Sequence, residues 1–218
     1  PLILNGARQV GKTWLLKEFG RIHFDKVAYV SLDVNSAAAA LFEADFNVDR
    51  IIGGLSLLTG VRIEPETTLV VLDEIQSVPK AITSLKYFCE NAADYAVAAA
   101  GSLLGISASE GTGYPVGKVD TVDLYPLHFR EFLDATGEGM LRELIDGGDP
   151  VSINAFKDRA SLALKRYCVV GGMPAVVSAY AESDDMELVR AMQMRIIEDY
   201  ERDFAKHVPM RLCPRMME

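Results

Sequence analysis

Cysteine, histidine and tryptophan are scarce in this sequence, and positive charge is in deficit. The three cysteines, Cys89, Cys168 and Cys213, lie far apart and form no Cys-x-x-Cys pair. An odd, scattered set of thiols argues against a disulfide framework and against a zinc site, and suits buried thiols in a reducing compartment. His23, His128 and His207 are equally isolated and read as surface or satisfied core side chains. Acidic residues outnumber Lys and Arg by 31 to 22, for a net charge of −9. Such a surface repels nucleic acid, and the densest basic residues (Lys157, Arg159, Lys165, Arg166) are too dispersed to override it. Long apolar runs are also missing. The most apolar stretch, Tyr95 to Ala108, is too short to cross a bilayer and is broken by Gly101, Ser102 and Gly105. With no signal-peptide pattern, these absences predict a cytoplasmic protein without nucleic-acid or membrane contact.

What is present is an ordinary globular composition. Half of the 218 residues are apolar and 24% are charged, enough for a full core in one large domain or in one domain plus a small one. The chain opens at Pro1 directly on Leu2-Ile3-Leu4 and stops at Glu218. Both ends read as cut, which predicts a longer parent polypeptide.

Hydrophobic patterning predicts five strands: Leu2–Asn5, Val27–Leu32, Thr68–Leu72, Ala96–Ala100 and Lys118–Leu124, the last alternating and half buried. Helices are predicted between them over Lys12–Phe19, Val48–Leu58 and from Pro79 to about Asn91. Leu41–Phe46 is ambiguous, and Gly101–Gly117 reads as a long loop. From Leu127 onward only helices are predicted, near 129–135, 141–145, 152–169, 175–181 and 186–206. Strands interleaved with helices, then helices alone, predict an α/β parallel-sheet core over 1–126 and a helical lid or subdomain over 127–209.

Three motifs carry chemistry. The first is Gly6-Ala7-Arg8-Gln9-Val10-Gly11-Lys12-Thr13, followed by Trp14. It has the Gly-x-x-x-x-Gly-Lys-Thr spacing of a Walker A phosphate loop, with an apolar strand before it and an amphipathic helix after it. Glycines let consecutive N–H groups converge on phosphates, Lys12 supplies charge to the β- and γ-phosphates, and the Thr13 hydroxyl is a Mg²⁺ ligand. The second is Leu69-Val70-Val71-Leu72-Asp73-Glu74. An apolar strand there delivers two carboxylates at its C-terminal end, where parallel α/β folds bind ligands. Asp73 is the candidate Mg²⁺-shell carboxylate and Glu74 the group that polarises an attacking water. The third is Ala98-Ala99-Ala100-Gly101-Ser102. If this strand lies between the other two, Ser102 faces the γ-phosphate as a sensor; the alternative is a serine that caps a turn. Glu74 directly after Asp73, with no Asn-Lys-x-Asp guanine-reading motif, separates the chain from nucleotide kinases and GTPases. The expected sheet order is 5-1-4-3-2.

Taken together, these stretches resemble the bacterial and archaeal AAA+-like ATPases whose P-loop core is followed by a helical segment and a C-terminal domain of unknown function. The matching segments are Pro1–Phe19, Leu69–Glu90, Ala99–Ser107, Tyr114–Leu133 and Gly171–Val177, with Asp199–His207 as the exit from the core. The resemblance implies ATP rather than GTP, Gly11, Lys12 and Thr13 on the phosphates and Mg²⁺, Asp73 and Glu74 at the Walker B site, and Ser102 at the sensor position. It implies a C-terminal domain that begins near Met210, with residues 210–218 as its truncated start, and it names no substrate. Many relatives carry Arg in place of Lys118 and Ser in place of His128. Lys118 as a γ-phosphate sensor lacks the planar fork of Arg; as a solvated strand-edge charge it needs none. Arg130, Arg195 and Arg202 are further candidates for an arginine finger, each equally readable as a surface charge. The Gly171-Gly172-Met173-Pro174 turn reads either as a hinge for the lid or as a plain helix stop and start.

The leading expectation is therefore Mg²⁺-dependent ATP hydrolysis coupled to movement of the helical part. A slowly turning regulatory ATP switch and a small-molecule phosphotransferase are the competitors. An unidentified protein partner and a homo-oligomer are both compatible with this reading.

Overall fold

The computed structural model describes residues 1–102 and 114–207, with only the backbone for 203–207. Most of the loop expected over Gly101–Gly117, the expected further domain at 210–218, and Cys213 lie outside the described residues. The chain divides into two compact units, Pro1–Leu124 and the part from Tyr125 onward.

The first unit is built on β1 (Leu2–Gly6), α1 (Lys12–His23), β2 (Lys26–Ser31), α2 (Ser36–Ala44), α3 (Val48–Thr59), β3 (Thr68–Asp73), α4 (Pro79–Asn91), β4 (Ala96–Ser102) and β5 (Asp120–Leu124), with a 3₁₀ turn at Ile75–Ser77. All strand pairs are parallel and the order is β2-β3-β4-β1-β5. Read from the other edge this is the expected 5-1-4-3-2. Parallel neighbours need long crossovers, and the helices that supply them cover both faces. Leu16 of α1 packs with Leu4, Leu69, Val71, Ala98 and Ala100 on one face. Phe42, Ile51, Leu55, Ile82, Leu85 and Phe88 of α2, α3 and α4 pack with Ile3, Ala28, Val70, Leu72 and Ala99 on the other. The alternation of β-strand side chains divides each strand between these two layers.

The structure departs from the expected elements in four places. The ambiguous stretch around Leu41 belongs to α2, which Asn35 caps by accepting from the Ala38 N–H at 3.0 Å. β5 is an edge strand with mostly exposed side chains, rather than half buried. The single helix expected over 152–169 is two, Pro150–Ala155 and Lys157–Val170, parted at Phe156. Asp149 caps the first of these through the Val151 and Ser152 N–H groups, with Pro150 at its first position. Cys168 is exposed rather than buried.

The second unit contains α5 (Phe129–Ala135), α6 (Gly139–Gly147), α7 (Pro150–Ala155), α8 (Lys157–Val170), α9 (Pro174–Ser183) and α10 (Met186–His207). Its core joins Phe132, Val170, Val176, Val177, Tyr180, Val189 and Ile196. His128 caps α5 in a reciprocal box: the Glu131 N–H donates to Nδ1 at 3.2 Å and the His128 N–H donates to Glu131 Oε2 at 2.9 Å. A histidine thus fills the capping role open to a serine at that position. The Gly171–Pro174 turn is tied down within this unit. The Leu127 N–H donates to the Gly172 carbonyl at 2.7 Å, and the Tyr167 hydroxyl donates to the Leu127 carbonyl at 2.9 Å. Among the described residues no helix is long and apolar enough to cross a membrane.

Candidate functional site

The C-terminal ends of β1, β3 and β4 meet at one edge of the sheet. β4 lies between β1 and β3, with Gly6 of β1 opposite Ser102 of β4 and Leu72 of β3 opposite Ala99 of β4. Ser102 therefore ends the strand that lies between β1 and β3, beside the loop that leaves β1.

That loop runs from Gly6 to Gly11. Gly6 has φ +159°, and a Cβ there would lie 2.4 Å from the Leu124 carbonyl oxygen, so the sharp exit beside β5 requires a glycine. Gln9 sits at φ 61° and Gly11 at φ 99°. Val10 is buried beneath the loop, whereas Ala7 and Arg8 are partly exposed and Gln9 is exposed. Gly11 is the N-cap of α1 and no side chain caps this helix. The N–H groups of its first turn, from Lys12, Thr13 and Trp14, therefore have no intrahelical acceptor and carry the positive end of the helix dipole. A helix start of this kind binds phosphate. The indole of Trp14 itself is 69% exposed.

Lys12 is only 7% exposed, and its ammonium turns into the loop, donating to the carbonyls of Gly6 (2.8 Å) and Ala7 (2.7 Å). Burial holds its pKa below the usual lysine value; Glu74 and Asp73 oppose that shift and Arg8 adds to it. The two carboxylates thus favour a charged ammonium at a site where desolvation alone disfavours it.

Asp73 is 4% exposed and accepts three hydrogen bonds. The Thr13 hydroxyl donates to Oδ2 at 2.7 Å, the Tyr29 hydroxyl to the same oxygen at 3.0 Å, and the Glu74 N–H to Oδ1 at 3.0 Å. Burial, followed by the bond to Asp73, pushes the Tyr29 phenol up to about 12. Glu74 has φ 50° and ψ 45°, left-handed backbone that is uncommon for a side chain of its size. Its Oε2 accepts from Gln76 Nε2, while Gln76 Oε1 is buried with no hydrogen-bond partner. Gln9 and Glu74, two of the four non-glycine residues with positive φ among the described residues, both lie at this edge.

Thr13 and Asp73 present hard oxygen donors of the kind Mg²⁺ takes when phosphates complete its shell. The donor set fits that ion. Lys118 is not gathered here. Lys118 precedes β5, whose first residue is level with Leu2, so it lies at the opposite end of the strands from Gly6. It pairs with Glu90 at 3.0 Å, which raises its pKa. Arg130 pairs with Asp146, Arg202 with Glu198 and Asp199, and Arg195 is exposed on α10, all in the second unit. Sequence reasoning missed Tyr29 and Gln76. The signal for Gln76 was its spacing after Asp73-Glu74; Tyr29 carried none, since only strand register brings it to Asp73.

A family model for an AAA domain matches residues 1–133, and one for a domain of unknown function (DUF8612) matches residues 161–218. No curated protein matches the sequence. Among solved structures, the Thermotoga maritima RuvB Holliday junction branch migration motor is similar at 14% identity and a TM-score of 0.47, covering 87% of this chain and 56% of that one. The Aeropyrum pernix Orc1 protein, solved in complex with DNA, is similar at 16% identity and a TM-score of 0.40, covering 96% of this chain and 63% of that one. This chain therefore spans less than two thirds of either. With the AAA model matching most of the sequence, the chain belongs to the AAA domain family of P-loop ATPases.

Proposed function

We propose that this chain binds ATP with Mg²⁺ and hydrolyses it, and that the cycle moves the helical part. The observation that carries this reading is the bond between Thr13 Oγ1 and Asp73 Oδ2, which joins the phosphate loop to the acidic strand end at 2.7 Å. Gly6 to Trp14 wrap the phosphates with backbone N–H groups, and Lys12 lends them its charge. Thr13 and Asp73 hold the Mg²⁺, which when bound neutralises charge on the β- and γ-phosphates. Glu74 orients and polarises the attacking water, and Ser102 donates to the γ-phosphate or to that water.

Glu74→Gln tests the hydrolytic step. It keeps the shape and removes the base, so ATP binding stays within about twofold while turnover falls about 100-fold or more. Equal turnover in wild type and Glu74→Gln, with both binding ATP, removes the hydrolytic role. Lys12→Ala loses ATP binding; unchanged affinity there would sink the phosphate-loop reading itself.

A slowly turning regulatory switch is the second reading, favoured by the bond from Gln76 Nε2 to Glu74 Oε2. A donor on that oxygen occupies it and holds the side chain away from other partners. Under this reading Gln76→Ala speeds hydrolysis; under the first it leaves the rate unchanged or lowers it.

A further inference from the structure

We propose that Tyr29 is a positioning residue for Asp73, and that its hydroxyl sets how tightly the site takes Mg²⁺ together with ATP. The inference rests on the reading that Thr13 and Asp73 serve that ion.

Tyr29 lies on β2 opposite Val71 of β3, so its side chain emerges on the same face as Asp73, two residues further along. It donates to Asp73 Oδ2 at 3.0 Å, the oxygen that Thr13 also touches at 2.7 Å. The Glu74 N–H holds Oδ1. A carboxylate with one hydrogen bond can turn about its last torsion; with donors fixed on both oxygens it cannot. The ligand is thereby oriented before any ion arrives, and its ordering cost is already met in the fold. The choice of donor matters as well. A lysine or arginine in this place would cancel the charge that draws a cation, whereas a neutral phenol orients Asp73 and leaves the full negative charge available.

The ring is itself held. Lys17 Nζ sits 3.7 Å from the Tyr29 centroid, within cation–π range. Lys17 is one turn beyond Thr13 on α1. One helix therefore supplies both the hydroxyl on Asp73 and the ammonium on the tyrosine that orients it, tying α1, β2 and β3 into one assembly at the strand ends.

The test is calorimetric titration of the full chain with ATP, in EDTA and over a series of Mg²⁺ concentrations, for wild type, Tyr29→Phe and Thr13→Ala. Tyr29→Phe keeps the ring and its contact with Lys17. The expected result is ATP affinity in EDTA within about twofold of wild type, with the Mg²⁺ concentration for half of the metal-dependent gain raised about tenfold, as befits one lost hydrogen bond to a buried charge. Lys17→Met shifts the same midpoint in the same direction by about two- to threefold. A Tyr29→Phe midpoint equal to wild type, alongside a Thr13→Ala variant that has lost the Mg²⁺ response, overturns the role of Tyr29 alone. A parallel fall of affinity with and without Mg²⁺ in Tyr29→Phe overturns it too, since a merely structural tyrosine damages both. An intact Mg²⁺ response in Thr13→Ala brings down the metal reading beneath it.

Discussion

Thr13 and Asp73 stand sixty positions apart in the sequence, yet the hydroxyl of one donates to the carboxylate of the other at 2.7 Å. The helix that follows the phosphate loop and the strand that ends in acid are thus joined directly. Thr13→Ala and Asp73→Asn each weaken Mg²⁺-dependent ATP binding, and the double variant is scarcely worse than the poorer single one. The coupling in a double-mutant cycle is about 1–3 kcal/mol, read from calorimetric affinities. Strictly additive effects would show that the bond does not operate in the ATP-bound protein.

Two glycines of the first unit respond oppositely to alanine. Gly6→Ala drives a Cβ to 2.4 Å from the Leu124 carbonyl, a backbone atom with little freedom to retreat, and costs about 2–4 kcal/mol in urea unfolding. Gly53 lies inside α3, and a Cβ added there would meet nothing within 4 Å, so Gly53→Ala stabilises by about 0.5–1 kcal/mol. A neutral Gly6→Ala would mean that β1 and β5 can part at this end without loss.

In the second unit, a Cβ on Gly172 would fall 2.1 Å from the Leu127 carbonyl oxygen, the same oxygen that accepts from Tyr167. Gly172→Ala therefore lowers the melting temperature, and Tyr167→Phe lowers stability by about 1 kcal/mol. Because both changes strike one oxygen, combining them costs less than their sum. Additive losses would separate the two contacts.

Asp45 links α2 to α3 through Arg50, whose guanidinium also donates to the Leu41 carbonyl at 2.6 Å. The Arg50 hydrogen bond, helped by the Asn47 N–H, holds the Asp45 carboxyl below its usual pKa. A carboxylate with a depressed folded-state pKa stabilises the fold above its unfolded value, and the gain fades as pH falls through the folded one. Asp45→Asn is accordingly less stable than wild type near neutrality, and the two converge in acid. The gap is small and shrinks in high salt, because the pair is exposed. A gap that persists unchanged into acid would assign the effect to packing instead.

Much of the frame was legible because its signals are local. β1, β3 and β4 are continuous apolar runs, as strands covered on both faces must be, and the sheet order followed from the motifs at their ends. Helix α3 carried its own punctuation in Asn47 and Gly60. What escaped was settled by tertiary structure or by weak local cues. The alanine run of α2 shows little amphipathic contrast, and the break at Phe156 has neither Gly nor Pro to mark it. In β5, Val122 and Leu124 alternate with polar residues, yet an edge position leaves that face largely exposed. The site divides in the same way. Lys12, Thr13, Asp73, Glu74 and Ser102 announce themselves by motif, whereas Tyr29 reaches Asp73 only through the register of β2 on β3. Lys118 is the converse: the resemblance to relatives with Arg at that position offered a phosphate sensor, and parallel register carries it to the far end of the sheet.

Trp14 is the only tryptophan in the sequence. It follows Thr13 directly, at the start of α1, and its indole is 69% exposed. The chain thus carries a single indole fluorophore directly after the last residue of the Gly6–Thr13 motif. Any change there in solvation or charge is reported by one emission signal, undiluted by other indoles, so loop occupancy can be followed in real time in the unlabelled chain.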